Sequence, residues 1–182
     1  EDIRKRIRAF VEHHLLALEA DPDSFDEHQN INQDLLGKMR EKAKSEGLWA
    51  LAMPTERGGQ GLDTVSMAVC YEEMNRSIFG PVVFNAAAPD DGNMIVLNKV
   101  GTEAQKDKWL QPIIDGTVRS SIVMTEPHPG AGSDPAGMMK TTATKKDDSW
   151  IIQGHKWFIT GAGAAQHFLL VARTSDDSRK GL

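Results

Sequence analysis

The sequence predicts an α+β protein, in which an N-terminal all-α helical domain is followed by the beginning of a β-domain. Two observations predict it. Up to about residue 117 the apolar residues recur at the three- and four-residue steps of helices. From about residue 118 they fall into short extended runs, and residue 182 is reached before a sheet of usual size could close. We therefore place a helical domain at residues 1–117 and a partial β-domain at residues 118–182.

Apolar stripes and helix-ending residues predict the first two helices. The first is expected to end at Asp21-Pro22, and the second at Gly47, a residue that can adopt the left-handed capping conformation. Their predicted apolar positions are Ile3, Ile7, Phe10 or Val11, Leu15 and Leu18, then Ile31, Leu35, Leu36, Met39 and Ala43.

Capping residues locate three further helices. Asp63 or Thr64 can cap the third, which we expect to end near Gly80-Pro81. A fourth is expected to begin near Pro89, and Thr102 with Gln105 forms the capping-box pattern of a fifth. The expected apolar positions are Val65, Ala68, Val69 and Met74, then Met94, Leu97 and Val100, then Trp109 and Leu110.

Extended runs at residues 120–124 and 141–145 open the second domain. A turn at residues 147–149 leads into residues 150–152, which we expect to form the returning arm of a hairpin. Two more apolar runs follow, at residues 157–160 and 168–172.

Composition excludes several classes of function. Hydrophobic residues make up 40% and charged residues 26%, the values of an ordinary globular protein, and no apolar run is long enough for a membrane span. The net charge of -5 argues against a nucleic-acid partner, so the basic stretch at residues 4–8 is interpreted as a solvated helix face. The single cysteine, Cys70, fits a reducing compartment as a buried small residue, and the opening residues show no secretory signal pattern. We expect a cytoplasmic protein if the source is bacterial, with a mitochondrial or peroxisomal location left open.

Common catalytic motifs are not matched. The histidines have no metal-ligand spacing, so no metal site is predicted. Ser133 lies in AGSDP rather than in a nucleophile elbow, and the glycines at residues 161–163 lack the third glycine of a dinucleotide fingerprint. The loop RGGQG at residues 57–61 is not followed by the Lys-Ser/Thr pair of a phosphate-binding P-loop.

Two segments remain as candidates, MTEPHPGAGSD at residues 124–134 and KWFITGAG at residues 156–163. Each follows a short apolar run and passes into a loop of small residues, which lets the backbone approach a flat, polar ligand. Thr125, Ser133 and Thr160 supply hydroxyl groups. The same residues could instead satisfy their own backbone in turns, and the residues alone favour neither interpretation.

These segments resemble the acyl-CoA dehydrogenase family. MTEPHPGAGSD is similar to its TEPxAGSD signature, and GHKWFITGAG is similar to its GxKxWITNG segment. Residues 101–116 resemble GTEEQKxKYLPxLxxG, and residues 48–63 resemble the entry into the family's GGxGL loop. NAAAPDDGNM at residues 85–94 resembles more narrowly the subgroup of human members ten and eleven, where APDTGNM is typical.

The resemblance implies a three-domain fold of which this chain contains the helical first domain and the beginning of the β-barrel-like middle domain, with the C-terminal helical domain absent. It implies FAD-dependent oxidation of an acyl-CoA to the trans-2-enoyl-CoA in fatty-acid β-oxidation, with electrons passed to an electron-transfer flavoprotein. The catalytic base would be a glutamate of the absent domain, so no catalytic residue is assigned here. A homo-oligomer, dimer or tetramer, is also implied.

The same resemblance implies the cofactor-binding residues. Thr125 would reach the pyrimidine edge of the flavin, Thr160 would lie near its N5, and Ser133 would meet both the FAD pyrophosphate and the acyl-CoA. Glu126 is interpreted as a loop anchor rather than the base. Met94, Ile95 and Leu97 could border an acyl pocket, although such a stripe is more often core. The full set implied to bind FAD is Ile122, Met124, Thr125, Gly132, Ser133, Phe158, Ile159 and Thr160.

Two departures from the family pattern stand out. His128-Pro129 lengthens the loop between TEP and GSD, and Phe158 replaces the usual Trp. Two alternative functions also fit the sequence. One is an acyl-CoA oxidase or flavin monooxygenase of the same fold, and the other is a non-catalytic fragment or scaffold.

Overall fold

The computed structural model describes residues 2–137, 139–177 and 181. The chain divides into two compact units, Glu1–Thr117 and Val118–Leu182. Within the described residues, no helix combines the length and the apolar character that crossing a membrane would require.

The first unit is helical. Its α-helices are α1 (Asp2–Phe10), α2 (Gln33–Ser45), α3 (Thr64–Met74), α4 (Gly80–Val83), α5 (Asp90–Val100), α6 (Glu103–Gln105) and α7 (Gln111–Asp115). Helix α1 continues as a π turn at Val11–Leu15 and a 3-10 turn at Leu16–Ala20, and a π turn at Lys106–Leu110 joins α6 to α7. Short 3-10 turns lie at Pro22–Ser24 and Thr55–Arg57.

Local hydrogen bonds fix the helix ends. Asp63 caps α3 by accepting from the Ser66 N–H, and Thr102 with Gln105 forms both halves of a capping box. Gly47 follows α2 with a φ of 66°, the left-handed conformation expected at this position. Asn32 caps α2, a residue that the periodicity did not single out.

The core of this unit contains most of the predicted apolar positions of the first two helices. Cys70 is buried there as a free thiol. The fully buried large side chains are Ile7, Phe10, Leu15, Leu48, Leu51, Met53, Met74, Phe84, Met94, Leu110, Ile113 and Ile114.

Several predicted details are wrong. Ile31 precedes α2 and forms an isolated β-bridge with Phe25. Helix α3 ends at Met74 rather than near Gly80, and turn residues 75–79 separate it from helix α4, which begins at Gly80.

The predicted inward faces are also shifted. Val65 and Val100 are 76% and 72% exposed, and Trp109 is 40% exposed while its neighbour Leu110 is buried. Helix α3 buries Met74 as predicted, but its other buried residues are Met67, Cys70 and Glu73.

The basic stretch at residues 4–8 is not simply a solvated face. Glu73 of α3 is 1% exposed, and its carboxylate accepts hydrogen bonds from Arg4 at 2.9 Å and from Arg8 at 2.6 Å and 2.9 Å. Arg76 lies 3.7 Å from the same carboxylate. The stretch therefore joins α1 to α3 through one buried charge, which the sequence did not reveal.

The loop at residues 57–61 is shaped by packing. A side-chain carbon at Gly59 would collide with the Met53 carbonyl and lie 2.6 Å from the Ala50 carbonyl oxygen. Arg57 is already bound by Glu103 at 2.8 Å and Asp107 at 3.1 Å. These contacts account for Gly59 and Arg57 without a bound phosphate.

The second unit contains two small sheets. Strands β1 (Ser120–Val123) and β4 (His167–Leu170) pair in parallel, with Ile122 opposite Leu169. Strands β2 (Thr142–Lys146) and β3 (Ser149–Gln153) form the predicted hairpin, whose turn contains Asp147 at a φ of 52°. The apolar run at residues 157–160 is not a strand, which corrects the prediction for it.

Candidate functional site

The two candidate segments of the second unit lie side by side. The Trp157 N–H donates to the Thr125 carbonyl oxygen at 3.1 Å, and the Lys156 ammonium donates to the Met124 carbonyl oxygen at 2.7 Å. Met124 follows β1 directly, so the end of that strand is the point at which the two segments meet. Both hydrogen bonds use backbone carbonyls, which leaves the Thr125 hydroxyl outside this pairing.

Phe158 has an unusual backbone and an exposed ring. Its φ is 52°, a conformation that costs energy for a bulky residue and is often found at functional sites. The ring is 80% exposed and lies 4.5 Å, centre to centre, from the ring of Trp157. An exposed aromatic face next to polar groups is suited to binding a planar ligand.

A turn begins at Thr160, two residues after Phe158 along the chain. The Thr160 carbonyl oxygen accepts from the Ser121 hydroxyl at 2.8 Å, which ties the segment to β1. Ile159 is partly buried, and its carbonyl accepts from the Ala162 N–H at 3.2 Å. Ile122, in β1 next to Ser121, is 40% exposed. The turn thus stays close to the strand that also leads into Met124.

The loop after Glu126 carries Gly132 and Ser133. Gly132 has a φ of 62°, and its carbonyl accepts from the Glu126 N–H at 3.0 Å, so the lengthened loop closes on itself. The His128–Pro129 peptide bond in this loop is cis. Ser133 is exposed, with its position set by this closure.

Glu126 anchors the loop, in agreement with the interpretation of its sequence. The residue is 2% exposed, and its carboxylate accepts N–H groups from Ala131 at 3.2 Å, Lys140 at 2.7 Å and Thr141 at 2.7 Å. Burial alone would raise the pKa of Glu126, but the hydrogen bonds from Lys140 and Thr141 outweigh it and lower that pKa to about 2. A carboxylate this acidic is poorly matched to proton abstraction near neutral pH.

Lys156 is the residue that sequence analysis missed. Its side chain is 7% exposed, and its ammonium lies 3.2 Å from Glu126 Oε1. A lysine beside an apolar run is usually solvated, so nothing in the local pattern indicated its burial.

The first unit has a cavity of its own, of about 410 Å³. Ile95, which is 46% exposed, lines it, whereas Met94 is 1% exposed and belongs to the core. Tyr71 also lines the cavity, and its hydroxyl donates to Asp91. Of the three residues predicted as a pocket border, Ile95 lines this cavity, whereas Met94 and Leu97 do not.

Comparison with known proteins now identifies the family. The sequence model of the family's N-terminal domain, the acyl-CoA dehydrogenase N-terminal domain, matches residues 1–117. The sequence model of the acyl-CoA dehydrogenase middle domain matches residues 121–182. The chain belongs to the acyl-CoA dehydrogenase family. The fold predicted for it, a helical domain followed by the start of the middle domain, is therefore confirmed.

The relatives that the chain matches include members of the subgroup that residues 85–94 indicated. The chain is 36% identical to acyl-CoA dehydrogenase family member 11 of Homo sapiens over 90% of its length, and 40% identical to member 10 of Mus musculus over 70%. It spans 21% and 12% of those proteins. Among solved structures it is similar to butyryl-CoA dehydrogenase from Megasphaera elsdenii, with a TM-score of 0.65 and 29% identity, covering 99% of this chain and 45% of that one.

Proposed function

We propose that the protein containing this chain oxidises an acyl-CoA thioester to the trans-2-enoyl-CoA, with FAD as its cofactor. The observation that carries the proposal is the pairing of residues 124–125 with residues 156–157, which holds the two family signatures together. When bound, FAD would accept the hydride that leaves the β-carbon of the substrate.

The exposed side chains of the second unit are chemically suited to binding a flavin. The exposed Phe158 ring, which packs against the Trp157 ring, offers an apolar face, and Phe158 with Ile159 would back the isoalloxazine. Thr125 would hold the pyrimidine edge, and Thr160 would donate near N5. Hydrogen-bond donors at these positions stabilise negative charge on the reduced ring, which favours hydride uptake.

Ser133 is proposed to bind the FAD pyrophosphate and, through its backbone, the acyl-CoA. Its exposure and the left-handed turn at Gly132 support this role, because a ligand can approach both the hydroxyl and the backbone. The remaining residues proposed to line the cofactor are Ile122, Met124 and Gly132.

The base that removes the α-proton is proposed to be a glutamate outside residues 1–182. Glu126 is unsuited to that task, because its carboxylate is buried and already accepts three backbone N–H groups. Family resemblance further supports transfer of electrons to an electron-transfer flavoprotein and assembly as a homo-oligomer, a dimer or a tetramer.

Anaerobic titration of the full-length protein tests the proposal. The purified protein should be yellow, and addition of acyl-CoA without oxygen should bleach its flavin absorbance. A colourless preparation that binds no added FAD would contradict the proposal. Stoichiometric peroxide formation in air would instead identify the acyl-CoA oxidase alternative.

A further inference from the structure

Lys156 is a buried cation in the second unit. With 7% of its side chain exposed, it donates to the Met124 carbonyl at 2.7 Å and lies 3.2 Å from Glu126 Oε1. An ammonium group is costly to bury unless it is paired and hydrogen-bonded, and Lys156 satisfies both conditions.

The carboxylate of Glu126, the partner of Lys156, accepts hydrogen bonds from three separate points of the backbone. The carboxylate receives the N–H groups of Ala131, Lys140 and Thr141. The loop packs so closely that a side-chain carbon at Gly130 would collide with Glu126 Oε2. One charged pair therefore holds the end of β1, the loop after it, the approach to β2 and the segment after β3.

The pair acts directly on the backbone around Thr125. The carbonyl before Thr125 is held by the Lys156 ammonium, and the carbonyl of Thr125 itself is held by the Trp157 N–H at 3.1 Å. Peptide groups fixed on both sides of a residue also fix the direction of its Cα–Cβ bond. The positions of Thr125 and of Phe158, which follows Trp157, thus depend on the same contacts.

We propose that Lys156 and Glu126 are positioning residues that hold Thr125 and Phe158 in the relative arrangement that binds the flavin ring. This inference rests on the proposed function. It gives the pair a role beyond loop stability, because the affinity and the reduction potential of the bound flavin depend on where those two side chains lie.

The test uses the full-length protein with Lys156→Met, which keeps an apolar stem of similar length and removes the charge. Lys156→Arg restores a cation, and Lys145→Met removes an exposed lysine from β2 as a matched control. Three quantities are measured: the FAD dissociation constant of the apoprotein, the midpoint potential of the bound flavin, and hydrogen exchange at the amides of Ala131, Lys140 and Thr141.

Lys156→Met is expected to weaken FAD binding by roughly tenfold or more, the scale typical of losing a residue that supports a binding group from behind. It should also shift the midpoint potential and speed exchange at the three amides. Lys156→Arg should recover part of the FAD affinity, and Lys145→Met should match the wild type in all three measurements.

An FAD dissociation constant within twofold of the wild type, with an unchanged midpoint potential, would overturn the inference. So would a loss of affinity that Lys156→Arg fails to relieve at all. Should Lys156→Met not fold, Glu126→Gln replaces it, since the amide keeps the shape of the side chain and removes its charge. An FAD dissociation constant within twofold of the wild type, with an unchanged midpoint potential, again overturns the inference. If the wild type itself binds no FAD, the proposed function fails instead.

Discussion

Glu73 of α3 and Arg8 of α1 form a two-point ion pair, with Nε–Oε2 at 2.9 Å and Nη2–Oε1 at 2.6 Å. The carboxylate is 1% exposed, whereas the arginine side chain is 44% exposed. The hydrogen bond from Arg8, followed by that from Arg4, outweighs the effect of burial and lowers the pKa of Glu73 to about 2. The stability of the protein at acidic pH therefore depends on this contact between α1 and α3.

Replacing Glu73 by Gln should lower the free energy of unfolding at pH 7 by about 1.5–3 kcal/mol, because it removes charged hydrogen bonds from a buried site. A folded pKa below the unfolded value means that this stability is present above about pH 5 and is lost as the pH falls toward the folded pKa. The difference between wild type and variant should thus shrink over that interval. Urea denaturation at a series of pH values measures it, and a difference independent of pH would contradict the assignment.

Gly59→Ala should destabilise the protein by about 1–3 kcal/mol, the usual cost of forcing extra atoms into a packed site. The added carbon would collide with the Met53 carbonyl, so the loop at residues 57–61 would have to move. Gly37→Ala is the matched control, because Gly37 lies within α2 and an added carbon would meet nothing within 4 Å. It should stabilise the helix by up to about 1 kcal/mol. Equal effects of both substitutions on the urea midpoint would contradict the packing argument.

Tyr71→Phe should destabilise the first unit in a pH-dependent way. Burial raises the pKa of Asp91, and the hydrogen bond from Tyr71 partly offsets that rise. A raised folded pKa favours the protonated acid, so this contribution to stability is full at low pH and declines as the pH rises through the folded pKa. In Tyr71→Phe, which lacks the hydroxyl, the free energy of unfolding should decline over the same pH range by about 1–2 kcal/mol more than in the wild type.

Urea denaturation at pH 4 and pH 8 tests this expectation for Tyr71→Phe. The loss should be greater at the higher pH, because raising the pH favours the ionised form of Asp91, which accepts the hydrogen bond from Tyr71. In an Asp91→Asn background the same tyrosine substitution should show little dependence on pH. A loss that is the same at both pH values would mean that the hydroxyl does not serve the carboxylate.

Phe158 allows backbone strain to be separated from ring binding. At a φ of 52°, Phe158→Gly should be more stable than Phe158→Ala by about 1 kcal/mol, because only glycine adopts this conformation without strain. Both variants lack the ring, so both should bind FAD more weakly than the wild type. Denaturation of the apoproteins and FAD titration of the full-length variants measure the two effects. Unchanged FAD affinity would remove Phe158 from the proposed site.

The features that could be read from the sequence depend on neighbouring residues. The Asp63 cap, the Thr102–Gln105 capping box and the left-handed Gly47 each involve groups within a few positions along the chain. The hairpin at residues 142–153 was predictable for the same reason, since a turn and two extended runs specify it locally. The family signatures made the fold predictable as well, because the motifs and their order along the chain are read directly from the sequence.

Tertiary structure decided which charges are buried and which apolar residues are not. Glu73 meets Arg4 and Arg8 across 69 and 65 positions, and Lys156 meets the Met124 carbonyl across 32. No local pattern predicts such pairs, because the cost of burying a charge is offset only by partners that folding brings together. The sequence by itself thus determined the family, the two candidate segments and the loop-anchoring Glu126. Only the folded chain determined that a buried lysine joins those segments and that Phe158 is held exposed in a strained conformation.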